Sequence, residues 1–238
     1  MVTAGTKIKL NEHEKVYTEL ALSSADQNLF SELDDLDNQG LGMKVGLQSE
    51  GRESSLFKGY VIKGQTEYEY NSTNFNFIDR FRYIEFDRDW GLSQDGLQNA
   101  AAEQFFRAGV GFTKDALNRF DYLFYLRNRA NVLNGTQHSA NWNLQLGSKI
   151  RIRQEFFRLN SKQDSLNSDW ARYLGDVSYN SKIIVPGYQF SLDQNALRSA
   201  ETDSVVSTAM NFKQHLLYLR SNDSLSYSFL ADAAWRED

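Results

Sequence analysis

The feature that most limits what this chain can become is an alternation of apolar and polar side chains kept up over unusual lengths. In residues 141–157, NWNLQLGSKIRIRQEFF, the even positions from Trp142 to Ile152 are apolar or small. The odd positions from Asn141 to Glu155 are polar, charged or glycine. Successive side chains of a strand point to opposite faces, so a period of two describes a ribbon that is oily on one side and ionic on the other. A helix, with its period of 3.6, does not produce this pattern.

The pattern recurs. Residues 60–70 place Tyr60, Ile62, Tyr68 and Tyr70 opposite Lys63, Gln65, Glu67 and Glu69. Residues 120–129 set Phe120, Tyr122, Phe124 and Leu126 against Arg119, Asp121, Arg127 and Arg129. Residues 171–185 set Ala171, Tyr173, Val177, Tyr179, Ile183 and Val185 against Arg172, Asp176, Asn180 and Lys182. Then Met210, Phe212, Leu216 and Tyr218 oppose Asn211, Lys213 and His215, and Leu225, Tyr227, Phe229, Ala231, Ala233 and Trp235 oppose Ser226, Ser228, Asp232 and Arg236. Polar connectors such as LNGTQHS, NSKQDSLNS and SNDS separate the runs. The expectation is an all-β, antiparallel up-and-down meander of nine or ten long strands, forming a single domain over residues 1–238. Two stretches resist. Residues 93–108 read as a short helix, with Leu97, Ala100, Ala101, Gln104 and Phe105 on one face, followed by a strand over 106–112. Residues 77–92 read as a strand buried against a loop, or as one that changes face at a bulge.

Composition narrows the class. Proline occurs once, at Pro186, which suits long ladders, and cysteine is absent, which excludes disulfides and thiolate metal sites. Aromatic residues reach 13%, with 12 Tyr and 16 Phe. The net charge of −5 argues against a nucleic-acid partner held by overall charge. No apolar run approaches the length of a membrane-spanning helix. Residues 1–15 carry no apolar core of an export signal, which fits either a cytoplasmic chain or one whose signal is removed or lies upstream.

A sheet of long strands with one apolar face can close with that face toward lipid, close with it inward, or stack it against a second sheet. Charges within the strands and aromatic residues bounding the apolar runs favour the first, a transmembrane β-barrel or a segment of a larger one. In such a barrel Lys63, Glu67, Arg127, Lys149, Arg151, Arg153, Arg172 and Lys182 line a cation-rich lumen, unless they pair across the wall and brace it. Trp142, Leu144, Ile150, Ile152, Tyr227, Phe229 and Trp235 face lipid. The alternative is a soluble periplasmic or surface sheet whose apolar face binds lipid or a partner strand. The closing residues AAWRED lack the terminal aromatic of complete barrels, so the expectation is a piece of a longer chain, or a barrel completed by other strands.

Residues 16–47 and 59–92, including NLFSELDDLDNQGLGMKVGL and FIDRFRYIEFDRDWGL, resemble segments of large, poorly characterised outer-membrane or surface β-proteins of Bacteroidota. The resemblance implies an outer-membrane setting, with membrane lipid and other surface subunits as partners, and carries no functional residues across. Asp164-Ser165-Leu166, Asp203-Ser204-Val205 and Asp223-Ser224-Leu225 are similar to the short O-glycosylation signal of that phylum.

Motifs for chemistry are sparse. DLDNQG, residues 35–40, imitates the opening of a calcium loop, but its twelfth position is Gly46 where a bidentate glutamate is required. An acidic, solvated loop around Asp34, Asp35, Asp37 and Asn38 is the simpler reading. His13, His138 and His215 are isolated in sequence, and no nucleophile elbow, phosphate loop or dinucleotide fingerprint occurs. The expectation is a non-enzymatic protein with no cofactor and no metal.

Overall fold

The computed structural model describes residues 1–24, 38–77, 82–83, 85–92 and 100–238, and the statements below concern those residues. Twelve strands form one sheet in chain order: β1 (Val2–Lys9), β2 (Glu14–Ser24), β3 (Gln39–Glu53), β4 (Val61–Asn71), β5 (Glu103–Asp115), β6 (Asn118–Arg129), β7 (Leu133–Leu146), β8 (Ile150–Lys162), β9 (Leu166–Tyr179), β10 (Ile184–Ser199), β11 (Val205–Ser221) and β12 (Leu230–Glu237). Each is antiparallel to the next, so the all-β up-and-down meander is as the alternation requires. A short helix, α1 (Phe86–Asp89), lies between β4 and β5. Among the described residues β1 pairs only with β2 and β12 only with β11, leaving the sheet unclosed.

The strand count exceeds nine or ten because two alternating runs each contain a turn. Residues 147–149 connect β7 to β8, with Gly147 at φ 60°. Leu146 pairs with Ile150 across that turn, so even positions stay on one face and the alternation reads as unbroken. Residues 180–183 connect β9 to β10, and there the parity inverts. Tyr179 and Ile184 share the apolar side, whereas Val185 falls on the other and is buried. The last run also begins later than its pattern suggests. Asn222 accepts from the Ser224 amide and hydroxyl, which holds a turn, and Tyr227 lies in the connection before β12.

Following the paired residues from strand to strand separates two faces. One carries Val2, Leu20, Val45, Leu47, Tyr68, Phe106, Phe124, Trp142, Ile152, Val177, Tyr188, Leu217 and Trp235. Among the described residues nothing covers it: Trp142 is 44% exposed, Ile150 39% and Trp235 46%. Large exposed apolar patches on a folded chain mark surfaces that meet a partner, a ligand or a membrane.

The apolar surface is a band with two borders. On β3 it runs Leu41, Met43, Val45, Leu47 and turns polar at Ser49; on β8 it runs Ile150, Ile152, Gln154, Phe156 and turns polar at Arg158. One hydrogen-bonded rung links Ile8, Val16, Leu47, Thr66, Ala108, Phe124, His138, Arg158, Ala171, Gln194 and Asn211. That rung enters at one border of the band, crosses its middle at Phe124 and has left through the other border by Arg158. The band therefore slips by about one residue per strand relative to the rungs, the stagger that accompanies tilted strands in a curved wall.

The Tyr122, Phe124 and His138 arrangement recurs as Tyr188, Phe190 and His215. In each, the tyrosine hydroxyl meets histidine Nδ1 at 2.7 Å and the phenylalanine lies 5.0 Å from the imidazole. The two copies are four strands apart and displaced by the same stagger, so both histidines stand as the first polar residue beyond the same border of the band. The strands continue past that border, in β8 as Arg158, Asn160 and Lys162. The longest connections, residues 25–38 and 72–102, leave from this end, which also holds the turns at 130–132, 163–165 and 200–204; the other end has residues 10–13, 54–60, 116–117, 147–149, 180–183 and 222–229.

Candidate functional site on the polar face

The second face carries the ionic side chains and also the only buried apolar cluster among the described residues. The reason is local. Residues 85–92 fold back onto it instead of forming the strand expected over 77–92. Aromatic and charged residues occur there at helical rather than alternating spacing. Phe86 and Trp90 fall on the same side of α1 and its C-terminal turn, and Gly91, at φ 73°, ends the helix with its amide donating to the Arg88 carbonyl. Residues 93–99 lie outside the described residues, and β5 begins at Glu103.

Phe86, Trp90 and Leu92 pack with Phe105 of β5, Leu133 of β7 and Leu159 of β8, flanked by Tyr125, Phe157 and Trp170. The Ser161 hydroxyl donates to the Trp90 carbonyl at 2.7 Å, and the Gln163 amide group donates to the Gly91 carbonyl. Trp90 reaches the sheet because position 135 is glycine; a Cβ there would stand 2.9 Å from the indole. Gly135→Val is expected to lift Trp90 off the sheet, at a cost of about 1–3 kcal/mol, typical of overpacking. A red-shifted tryptophan emission with unchanged far-ultraviolet dichroism would register it; an unshifted emission would mean that the contact is not holding the segment.

Beside this cluster sits a buried ion network. Arg127, 1% exposed, pairs with Asp87 of α1 and with Glu103 at 3.2 Å. Arg82 pairs with Glu69 at 2.8 Å and Glu103 at 3.6 Å. Asn71 donates a further hydrogen bond to Glu69. The guanidinium of Arg82 lies 4.5 Å from both the Phe86 and Phe105 rings, and that of Arg127 4.5 Å from Phe86. Burial lowers the pKa of Arg82, opposed by Glu69 and Glu103. Burial, reinforced by the hydrogen-bonded Asp89, pushes the Tyr83 phenol up to about 12, so it is a neutral donor at any physiological pH. Two cations and three carboxylates thus tether a helix to the sheet, an arrangement suited to holding a segment in place. No group of three or more His, Cys, Asp or Glu that could hold a metal ion occurs among the described residues.

Of the expected lumen residues, Lys63, Glu67, Arg127, Arg151, Arg153 and Arg172 do lie on the polar face. Lys149 and Lys182 do not; both belong to turns, and Lys149 leans toward Tyr179, 5.6 Å from its ring, on the apolar side. Most cations of the wall are braced. Arg107 pairs with Glu67 at 3.4 Å, Arg153 with Glu155, Arg119 with Asp121 at 2.8 Å, and Arg172 reaches Asp193 at 3.9 Å. Exposed pairs of this kind contribute little stability singly. Lys63 and Arg151 have no carboxylate at ion-pairing distance among the described residues.

Of the lipid-facing set, Trp142, Leu144, Ile150, Ile152 and Trp235 lie on the apolar face, and Phe229 immediately precedes its strand β12. Tyr227, 56% exposed, sits in the connection instead. The parity expected for β11 is inverted: Phe212, Leu216 and Tyr218 face the polar side, and Lys213 and His215 share a face with Leu217. The missed elements are the docked segment, with its Arg127 and Gly135 contacts, and a recurring tyrosine–glycine pairing. Tyr17 lies flat over Gly46 and Tyr218 over Gly187, each ring occupying the space of a Cβ, with the hydroxyls donating to Glu67 and to Asp176. The calcium-like residues Asp34, Asp35 and Asp37 lie outside the described residues. The three glycosylation-like tripeptides fall at connections, two at the end with the long connections and one at the opposite end.

No protein-family model matches the chain, and no curated protein is similar to it.

Proposed function

We propose that this chain forms part of the wall of an outer-membrane β-barrel without enzymatic activity, serving passage, anchoring or scaffolding in a surface assembly. The observation that carries the reading is the exposed apolar band, bordered by polar residues and oblique to the hydrogen-bonded rungs, with ionic residues on the opposite face. A bilayer supplies an apolar environment of fixed thickness, and tilted strands cross it with this stagger. Strands such as β11, 17 residues long, outrun the nine to eleven that span hydrocarbon, consistent with walls that project beyond it. The unpaired amides of β1 and β12 would each cost several kcal/mol in lipid, so the reading requires that both borders be paired, with each other or with further strands. The docked segment, tethered by Arg127, narrows the enclosed space on one side. Membrane lipid and neighbouring surface subunits are the partners this implies.

The second reading, a soluble sheet that binds lipid or a partner strand, is favoured by the two unpaired borders. Detergent decides between them. The barrel reading expects the purified chain to be monodisperse only in detergent or bilayers. A detergent-free monodisperse monomer overturns it.

A further inference from the structure

Beyond the border of the band marked by His138 and His215, the apolar-face side chains differ sharply around the sheet. On β3, β5 and β6 they are uncharged: Gln39, Gln104 and Asn128. On β8, β10 and β11 they include Arg158, Lys162, Arg198 and Lys213, against Asp169 and, at the edge, Glu237. Two of the cations line a groove of about 240 Å³ together with Asp169, Gln194 and Asn211. The register shifts between Asn195 and Ala196 and between Leu197 and Arg198 interrupt the β10–β11 ladder at this place. Arg158 donates to Asp169 at 2.9 Å, and Arg198 donates to the Asp203 carbonyl at 3.1 Å, which leaves part of each guanidinium fork for a ligand. One rung toward the band the same strands present Phe156, Tyr173 and Leu192, with Lys213 beside them.

Cations above an apolar step, on the outward side of a wall, fit an amphiphile with a phosphate at one end and hydrocarbon at the other. We infer that the groove between Arg158 and Arg198 binds a phosphate monoester carried by a membrane glycolipid, whose acyl chains lie along Phe156, Tyr173 and Leu192. The inference rests on the barrel reading and deepens it. The two longest connections, residues 25–38 and 72–102, leave from this end of the strands, and taking that end as the outer one puts the groove in the outer leaflet.

The test uses the full chain in detergent, titrated with bis-phosphorylated lipid A, dephosphorylated lipid A and inorganic phosphate, with adducts counted by native mass spectrometry. The phosphorylated lipid is expected to bind in preference to the dephosphorylated one. Arg158→Gln combined with Arg198→Gln should weaken it by about tenfold or more, the loss of charge-assisted contacts, while Lys58→Gln in the opposite connection should leave it unchanged. Millimolar inorganic phosphate should not displace it. Equal binding of both lipids, or an unaffected double variant, overturns the inference. Full displacement by inorganic phosphate assigns the groove to a free anion and overturns the lipid ligand. A chain that needs detergent but shows either result refutes this site alone; a chain monodisperse without detergent refutes the barrel reading with it.

Discussion

Val45→Arg is expected to destabilise the folded chain in phospholipid vesicles by about 2–4 kcal/mol, and Ile150→Arg by no more than about 1 kcal/mol. Both residues are apolar, exposed and on the same face, with Val45 at 40% and Ile150 at 39%. They differ in depth. Val45 has Met43 and Leu47 on either side of it along β3, so it sits within the band, whereas Ile150 adjoins the turn at 147–149 and marks the border. Its place at the border keeps the cost at Ile150 low. Urea titrations of vesicle-embedded protein measure both. In a soluble sheet each position is a surface site, and both changes should fall within about 0.5 kcal/mol of zero. Equal small effects would therefore remove the main support for a lipid-facing wall.

Arg127→Met should cost about 3–5 kcal/mol, because it leaves Asp87 and Glu103 without their shared cation beneath α1. The lower end of that range is the better expectation, since Asp87 is 35% exposed and retains some water. The loss should be local. Trp90 emission should shift to the red while the strand signal persists, because the docked segment, and not the ladder, loses its anchor. Adding Asp87→Asn to Arg127→Met should recover part of the stability by removing the carboxylate left without a partner, while Glu103 keeps Arg82 at 3.6 Å. If Arg127→Met leaves both stability and emission unchanged, the network is incidental to holding the segment.

The residues differ in how plainly they announced these roles. Alternation identified β4 and β6 with the right faces, because in each one parity carries most of the large apolar side chains: Ile62, Tyr68 and Tyr70 against Val61 in β4, and Phe120, Tyr122, Phe124 and Leu126 against Leu123 and Tyr125 in β6. It failed for β11, where Phe212, Leu216 and Tyr218 on one parity compete with Leu217 and Leu219 on the other. There the register is set by pairing with β10 and β12, and His215 and Lys213 share the apolar face only because they lie beyond the band. A strand pattern records which face a residue takes, not how far along the wall it sits. The turn at 147–149 was invisible because it preserves parity. Arg127 was assigned to a wet interior, and its near-complete burial comes from α1, whose residues are remote in sequence and follow no period of two. Gly135 could not be distinguished from an ordinary strand glycine without Trp90 above it.

The oblique band has a consequence for how such a wall can change over time. Each strand presents its oily stretch at its own height, one step removed from its neighbour's, so hairpins are not interchangeable units. On the barrel reading, a hairpin copied from β2–β3 and inserted beside β10 would arrive several residues out of line with the bilayer, exposing Val16 and Leu47 to water or drawing Arg158 into hydrocarbon. Growth by duplication would have to be followed by re-trimming of the inserted strands, end by end, before the enlarged wall could seat itself.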